Sequence, residues 1–129
     1  MDFRLTEQQR ELQDAARAFA VKELPDLARE MEAKDFPVPD AMVRRYGEMG
    51  FLGVNLPEQY GGLGLGMLEL CVIAEEMGRA LAPVPFSSTT YFFAEALKLA
   101  GSEDQKKDLL EKVVSGEVVG CYAASEGPG

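Results

Sequence analysis

Six of the seventeen residues from Gly50 to Gly66 are glycine, and such a run is the first place to seek a phosphate cradle. Glycine-rich loops hold phosphate because their backbone N–H groups can approach it where no Cβ intervenes. A P-loop needs four residues between its glycines and then Gly-Lys-Ser/Thr, whereas Gly61 to Gly66 runs on into Met67-Leu68 with no lysine. The dinucleotide fingerprint fails as well, because Gly62-Leu63-Gly64-Leu65-Gly66 has the wrong spacing and follows no strand. The stretch reads as a shaped connector, stiffened by Pro57 and bent by its glycines. Thiol and metal chemistry have little to work with: there is no histidine, and the two cysteines, Cys71 and Cys121, offer neither a zinc spacing nor a Cys/His nucleophile pair. Both are expected to be small core residues. No residue of the chain is assigned as catalytic or as a metal ligand.

Charge excludes further classes. The formal net charge is −9 and the pI about 4.5, with basic residues adjacent only at Arg44-Arg45 and Lys106-Lys107. Nucleic acid is not an expected partner, since its binding rests on neutralised phosphates. The opening Met1-Asp2-Phe3-Arg4-Leu5-Thr6 has no apolar core of a signal peptide, and no run of about eighteen apolar residues follows. No membrane association is expected, and the expected location is cytoplasmic. With 129 residues, one domain can bury roughly two-thirds of the surface of its unfolded chain without disulfides.

The elements that flank the glycine stretch are helical. Thr6 and Gln9 form a capping-box pattern, after which Leu12, Ala15, Ala16, Phe19 and Ala20 recur at helical spacing. This predicts a helix from Glu7 to Leu24, with Pro25 opening a further short one. A helix from Asp40 to Met49 is closed by Gly50, with Phe51 folding back on Tyr46. Leu70, Ile73, Ala74, Met77 and Leu81 predict the most buried helix, from Met67 to Ala80. Ser87 or Ser88 then caps a helix carrying Tyr91, Phe92, Phe93, Ala96, Leu97 and Leu99 up to Gly101. Ser102 with Gln105 opens a last one through Leu109, Leu110, Val113 and Val114. The expected fold is all-α, with five to six helices in an antiparallel orthogonal or up-down bundle over residues 1–116. Residues 117–129 change character: Glu117-Val-Val-Gly-Cys-Tyr-Ala-Ala is β-prone and too short to be a sheet alone, so it is expected to begin a further β domain.

The order of these pieces resembles the N-terminal helical domain of the acyl-CoA dehydrogenase family. The resemblance is carried by Gly50-Phe-Leu-Gly53, by Leu56-Pro-Glu-Gln-Tyr-Gly-Gly-Leu-Gly64, by Glu75-Glu-Met-Gly-Arg-Ala80, and by Phe3-Arg-Leu-Thr-Glu-Gln-Gln9 with Gly101-Ser-Glu-Asp-Gln-Lys-Lys107. It implies a three-domain flavoenzyme that uses FAD to remove two hydrogens from the α and β carbons of an acyl-CoA thioester. The base that takes the α proton comes from the family's C-terminal domain, so the resemblance gives it no counterpart here. Glu126 corresponds to a turn that opens the middle domain, and Gly127 stands where that turn has proline.

The resemblance also implies contacts. Tyr122, Ala124 and Ser125 correspond to the segment whose aromatic ring, backbone amide and hydroxyl touch the flavin ring; by themselves Tyr122 can also be read as a core aromatic on a strand and Ser125 as a turn residue. Ser88, Tyr91 and Phe92 correspond to the helix lining the acyl cavity, where the bulk of Phe92 would shorten the pocket; adjacent phenylalanines read equally as core. A chain of this extent is expected to bind FAD weakly and to lack turnover alone. Its expected partners are acyl-CoA, the middle and C-terminal domains or a partner subunit, and further copies in a homo-oligomer. Two other readings share the same helices: a short helical subunit completing a partner's flavin site, and a relative with oxidase chemistry.

Overall fold

The computed structural model describes residues 4–124 and Gly127. All regular structure among them is helical. In chain order the α-helices are α1 (Glu7–Lys34), α2 (Asp40–Glu48), α3 (Met67–Arg79), α4 (Glu95–Ala100) and α5 (Glu103–Val114). Single 3-10 turns occur at Phe51–Gly53 and Glu58–Tyr60, and a π-helical segment, Ser88–Ala94, leads into α4. The chain forms two compact units, the first built from residues up to Pro39 with Leu65–Val84, the second from Asp40–Gly64 and the chain from Pro85 onward.

The first unit is α1 packed along α3. Thr6 and Gln9 cap α1 reciprocally, as their spacing requires. The helix does not stop at Leu24: it runs on through Pro25 to Lys34, so the short second helix expected there is part of α1. An interior proline forfeits one backbone hydrogen bond and costs about 3 kcal/mol. Burial of Ala16, Phe19, Ala20 and Leu24 before it, with Leu27, Ala28 and Met31 half-buried after it, holds the helix together across the break. Two polar links tie the helices: Gln9 Nε2 donates to Glu69 Oε1 at 2.7 Å, and the Arg17 guanidinium pairs with Glu76 at 2.8 and 3.0 Å. Residue numbers rise together along both helices, so α1 and α3 run parallel; the antiparallel arrangement expected from short links does not describe this pair, because residues 40–64 intervene and belong to the second unit.

Helix α3 buries Leu70, Val72, Ile73, Glu76 and Met77. Glu76, only 1 % exposed, is the exception to its apolar face, and the Arg17 hydrogen bonds hold its carboxyl below the usual range. Leu81 does not continue the stripe. It is 81 % exposed at φ 48°, in the C′ position that usually holds glycine, while the Ala82 N–H donates to the Met77 carbonyl to close the helix. Cys71 and Cys121 are both exposed rather than core. Cys71 lies between the inward Leu70 and Val72 on the outer face of α3, and Cys121 follows the last buried residue of the tail.

In the second unit, Gly50 closes α2 at φ 76°, and Phe51 meets Tyr46 edge-on with centroids 6.0 Å apart. Tyr46 continues to Phe86 (6.3 Å) and Phe86 to Tyr91 (6.1 Å), a row of four rings. Burial pushes the Tyr46 hydroxyl pKa well above its ordinary value. Beside the row, Leu56, Tyr60, Ala94, Leu110 and Val113 form a core onto which Phe93, Leu97, Val114 and Val118 pack. The glycine connector is shaped by close approach: a Cβ at Gly62 would stand 2.2 Å from the Leu56 carbonyl oxygen. Of residues 117–129, expected to begin a further β domain, the described 117–124 are neither helix nor strand.

Candidate functional site

The π-helical segment and the tail that crosses it carry the candidate residues. The chain is already helical at Phe86, directly after Pro85, and Ser87 has helical dihedrals (φ −64°, ψ −46°); neither Ser87 nor Ser88 is the expected cap. Ser88 Oγ donates instead to the Pro85 carbonyl at 3.2 Å. The sequence Ser88-Thr-Thr-Tyr-Phe-Phe-Ala94 sets two β-branched residues before three aromatic ones, a crowded run of poor helix formers, and there the helix widens into the π form. Such segments are rare and frequently lie at functional sites.

The candidate residues diverge along this segment. Tyr91 is half-buried with its ring against Phe86. Phe92 is 56 % exposed, while its neighbour Phe93 turns into the core. Ser88 is half-buried at the start. Phe92 is therefore the apolar side chain of the three that this unit leaves open. A cavity of about 440 Å³ in the same unit is lined by Gly47, Glu48, Tyr60, Gly61, Glu111, Val114 and Ser115, none of them a candidate residue.

The tail is fastened in three steps. At the end of α5 the N–H groups of Glu117 and Val118 both donate to the Lys112 carbonyl, at 2.9 and 3.1 Å. Val118 then packs on the core. Finally Gly120 docks on Thr89: its N–H donates to Thr89 Oγ1 and its carbonyl accepts from the same hydroxyl, both at 3.3 Å. A hydroxyl has one proton and two lone pairs, so one threonine serves both groups. A Cβ at Gly120 would lie 2.0 Å from the Phe93 ring, so nothing larger than hydrogen fits this crossing. Beyond it, Tyr122 is 62 % exposed and Ala124 is exposed. Ser125 lies outside the described residues, as does Glu126.

Thr89 and Gly120 were not singled out from the sequence. The available signals were a buried Thr-Thr pair inside an apolar helix and a lone glycine within a β-prone run, which marks close backbone approach.

Glu69, Glu76 and Glu103 are held below the ordinary range, by hydrogen bonds from Gln9, Arg17 and Tyr60 respectively. A general base acting near neutrality needs the opposite shift.

Residues 6–117 match the family model described as acyl-CoA dehydrogenase, N-terminal domain. The chain belongs to the acyl-CoA dehydrogenase family. It is similar to the short-chain specific acyl-CoA dehydrogenase, mitochondrial, of Sus scrofa, 34 % identical over 89 % of this chain and 28 % of the relative. It is also similar to the isovaleryl-CoA dehydrogenase, mitochondrial, of Pongo abelii, 35 % identical over 95 % of this chain and 30 % of that protein. The solved acyl-CoA dehydrogenase from Geobacillus kaustophilus superposes with a TM-score of 0.80 at 27 % identity, over 92 % of this chain and 31 % of that one. The chain thus spans about 30 % of the length of the relatives it matches, and corresponds to their N-terminal helical domain. No helix among the described residues is long and apolar enough to cross a membrane.

Proposed function

We propose that this domain serves an FAD-dependent enzyme that α,β-dehydrogenates acyl-CoA thioesters, with the π-helical segment facing the acyl chain and the tail facing the flavin. The observation that carries this reading is the docking of Gly120 on Thr89, which ties the tail that leads to Tyr122 and Ala124 to the helix holding Ser88, Tyr91 and Phe92. The bound flavin supplies the hydride acceptor. The residues of this chain would position and exclude: Tyr122 would stack near the ring system, the Ala124 amide and Ser125 hydroxyl would donate to it, and Phe92 would close one end of the acyl pocket.

The resemblance implies a proton-abstracting carboxylate from the family's C-terminal domain, and the lowered pKa values of Glu69, Glu76 and Glu103 support giving none of these three that role. Two relatives are named for short-chain and isovaleryl thioesters, and the open, bulky Phe92 supports a short acyl substrate here too. Phe92, Leu99, Val119 and Tyr122 are exposed apolar residues of the second unit. They suit cover by a middle domain and by further copies in a homo-oligomer.

The test is a domain exchange. The 129-residue chain alone is expected to retain no FAD and to turn over no acyl-CoA, whereas the same chain in place of the N-terminal domain of the Geobacillus kaustophilus enzyme restores both. In that setting Phe92→Ala shifts the preference toward longer acyl chains. Tight FAD binding by the chain alone, or an exchange that holds FAD with an unchanged chain-length preference in Phe92→Ala, overturns the respective part of the proposal.

A further inference from the structure

We infer that Thr89 is a positioning residue for the flavin-facing tail: its hydroxyl clasps the Gly120 backbone and so sets where Tyr122 and the residues after it stand. The inference rests on the flavin reading given above. Its geometry is independent of that reading, because both clasp hydrogen bonds lie within one unit of this chain.

Thr89 and Thr90 are neighbours, both essentially buried, and their hydroxyls do different things. Thr90 Oγ1 donates to the Phe86 carbonyl at 2.7 Å, four residues back in its own helix, which is the ordinary way for a buried helical threonine to satisfy itself. Thr89 Oγ1 instead reaches across to Gly120, thirty-one positions away in the chain. If packing alone were needed at residue 89, valine would fill the same volume without a polar atom to satisfy. The hydroxyl therefore answers to the tail: without it, the Gly120 N–H and carbonyl would be buried without these partners, and each such group costs free energy.

The clasp holds both backbone polar groups of a single residue, and so fixes the direction of the chain as well as its position. At no more than about 3.5 Å per residue, Tyr122 can stand only about 7 Å beyond the fixed point. Phe93 seals the crossing, since its ring touches the bare Cα of Gly120 and forbids a side chain there. A tail held only by Val118 would enter the site on a freer arc.

Two measurements test this, using Thr89→Val, which keeps the volume, and Thr89→Ser, which keeps the hydroxyl. In the 129-residue chain, amide hydrogen exchange at Gly120 is expected to rise on the order of tenfold in Thr89→Val, with Leu110 and Val113 in α5 as unchanged references, and to remain near wild type in Thr89→Ser. In the FAD-loaded domain-exchange enzyme, Thr89→Val is expected to shift the visible flavin absorption bands and weaken FAD about tenfold, with both restored by Thr89→Ser. Unchanged Gly120 exchange in Thr89→Val overturns the clasp. Faster exchange with an unaltered flavin spectrum and affinity overturns the positioning role and leaves the family reading standing. An exchange enzyme with wild-type Thr89 that takes up no FAD removes the flavin reading itself, and the positioning role with it.

Discussion

Replacing Gly62 by alanine tests whether the glycine connector is a shaped structure or a slack link. The added Cβ would stand 2.2 Å from the Leu56 carbonyl oxygen, 2.5 Å from its carbon and 2.7 Å from its Cβ, so it must retreat by about 1 Å to reach ordinary contact at 3.4 Å. Little can yield. The Leu56 carbonyl accepts from the Gly64 N–H at 2.9 Å, the Leu56 N–H donates to the Gly53 carbonyl at 3.2 Å, and the Leu56 side chain is fully buried with Tyr60, Ala94, Leu110 and Val113. Overpacking of this kind costs about 1–3 kcal/mol and the loss of one backbone hydrogen bond about 1, so Gly62→Ala is expected to destabilise by about 2–4 kcal/mol. Gly78→Ala is the internal control: nothing lies within 4 Å of its Cβ, and in the last turn of α3 it should stabilise by about 0.5 kcal/mol. Urea unfolding of the 129-residue chain followed by circular dichroism reads both as opposite shifts in midpoint at constant slope. A Gly62→Ala midpoint within about 0.5 kcal/mol of wild type would refute the close-approach argument.

Leu81→Gly should stabilise by about 0.5–1 kcal/mol, because an exposed leucine at φ 48° bears a left-handed strain that glycine does not; a loss of stability by urea titration contradicts this. Cys71 and Cys121 should both react with a thiol reagent within the dead time of folded-state mixing, and two slow thiols limited by unfolding would restore the core assignment. The Glu76 carboxyl is held down by Arg17, so the folded protein binds fewer protons than the unfolded chain; its contribution is present above the unfolded pKa of about 4.3 and is lost as pH falls through the lower folded value. Glu76→Gln should therefore be less stable than wild type at pH 7, with the gap closing below about pH 4. A gap independent of pH would show that the partnership with Arg17 is not electrostatic.

Where the sequence was legible, one local rule decided the outcome. The caps at Thr6 and Ser102 formed because a hydroxyl and an amide three residues apart can satisfy each other without help from the rest of the fold. Gly50 closed α2 for a similarly local reason. Where it misled, a longer-range term outweighed the local one. Pro25 should break a helix, yet packing on both sides of it is worth more than the bond it removes. Leu81 completes an apolar stripe by spacing, but the chain has already turned away to close α3. The core expectation for the cysteines follows general burial preference, but Cys71 takes the outward phase of α3 and Cys121 lies in the irregular tail, so both are exposed.

The candidate site divides in the same way. Ser88, Tyr91 and Phe92 could be read as one face only if the helix kept α geometry; in a π-helical segment that phase slips, so Tyr91 turns to Phe86 while Phe92 turns outward. The Thr89–Gly120 clasp is marked in the sequence only by adjacent threonines in an apolar helix and a lone glycine in a β-prone run; the pairing itself is not legible there, because it joins residues far apart in the chain. That same separation gives the clasp its use. Under the proposed function, a tail that meets a flavin would have to be located relative to the helix proposed to meet the substrate, and local structure cannot do that, since 118–124 form no helix and pair with no strand here. One buried hydroxyl, a glycine that admits it, and an aromatic ring that tolerates nothing larger provide the registration. Residues that set distances between functional segments therefore have to be sought where a helix spends a buried polar group on a partner outside itself.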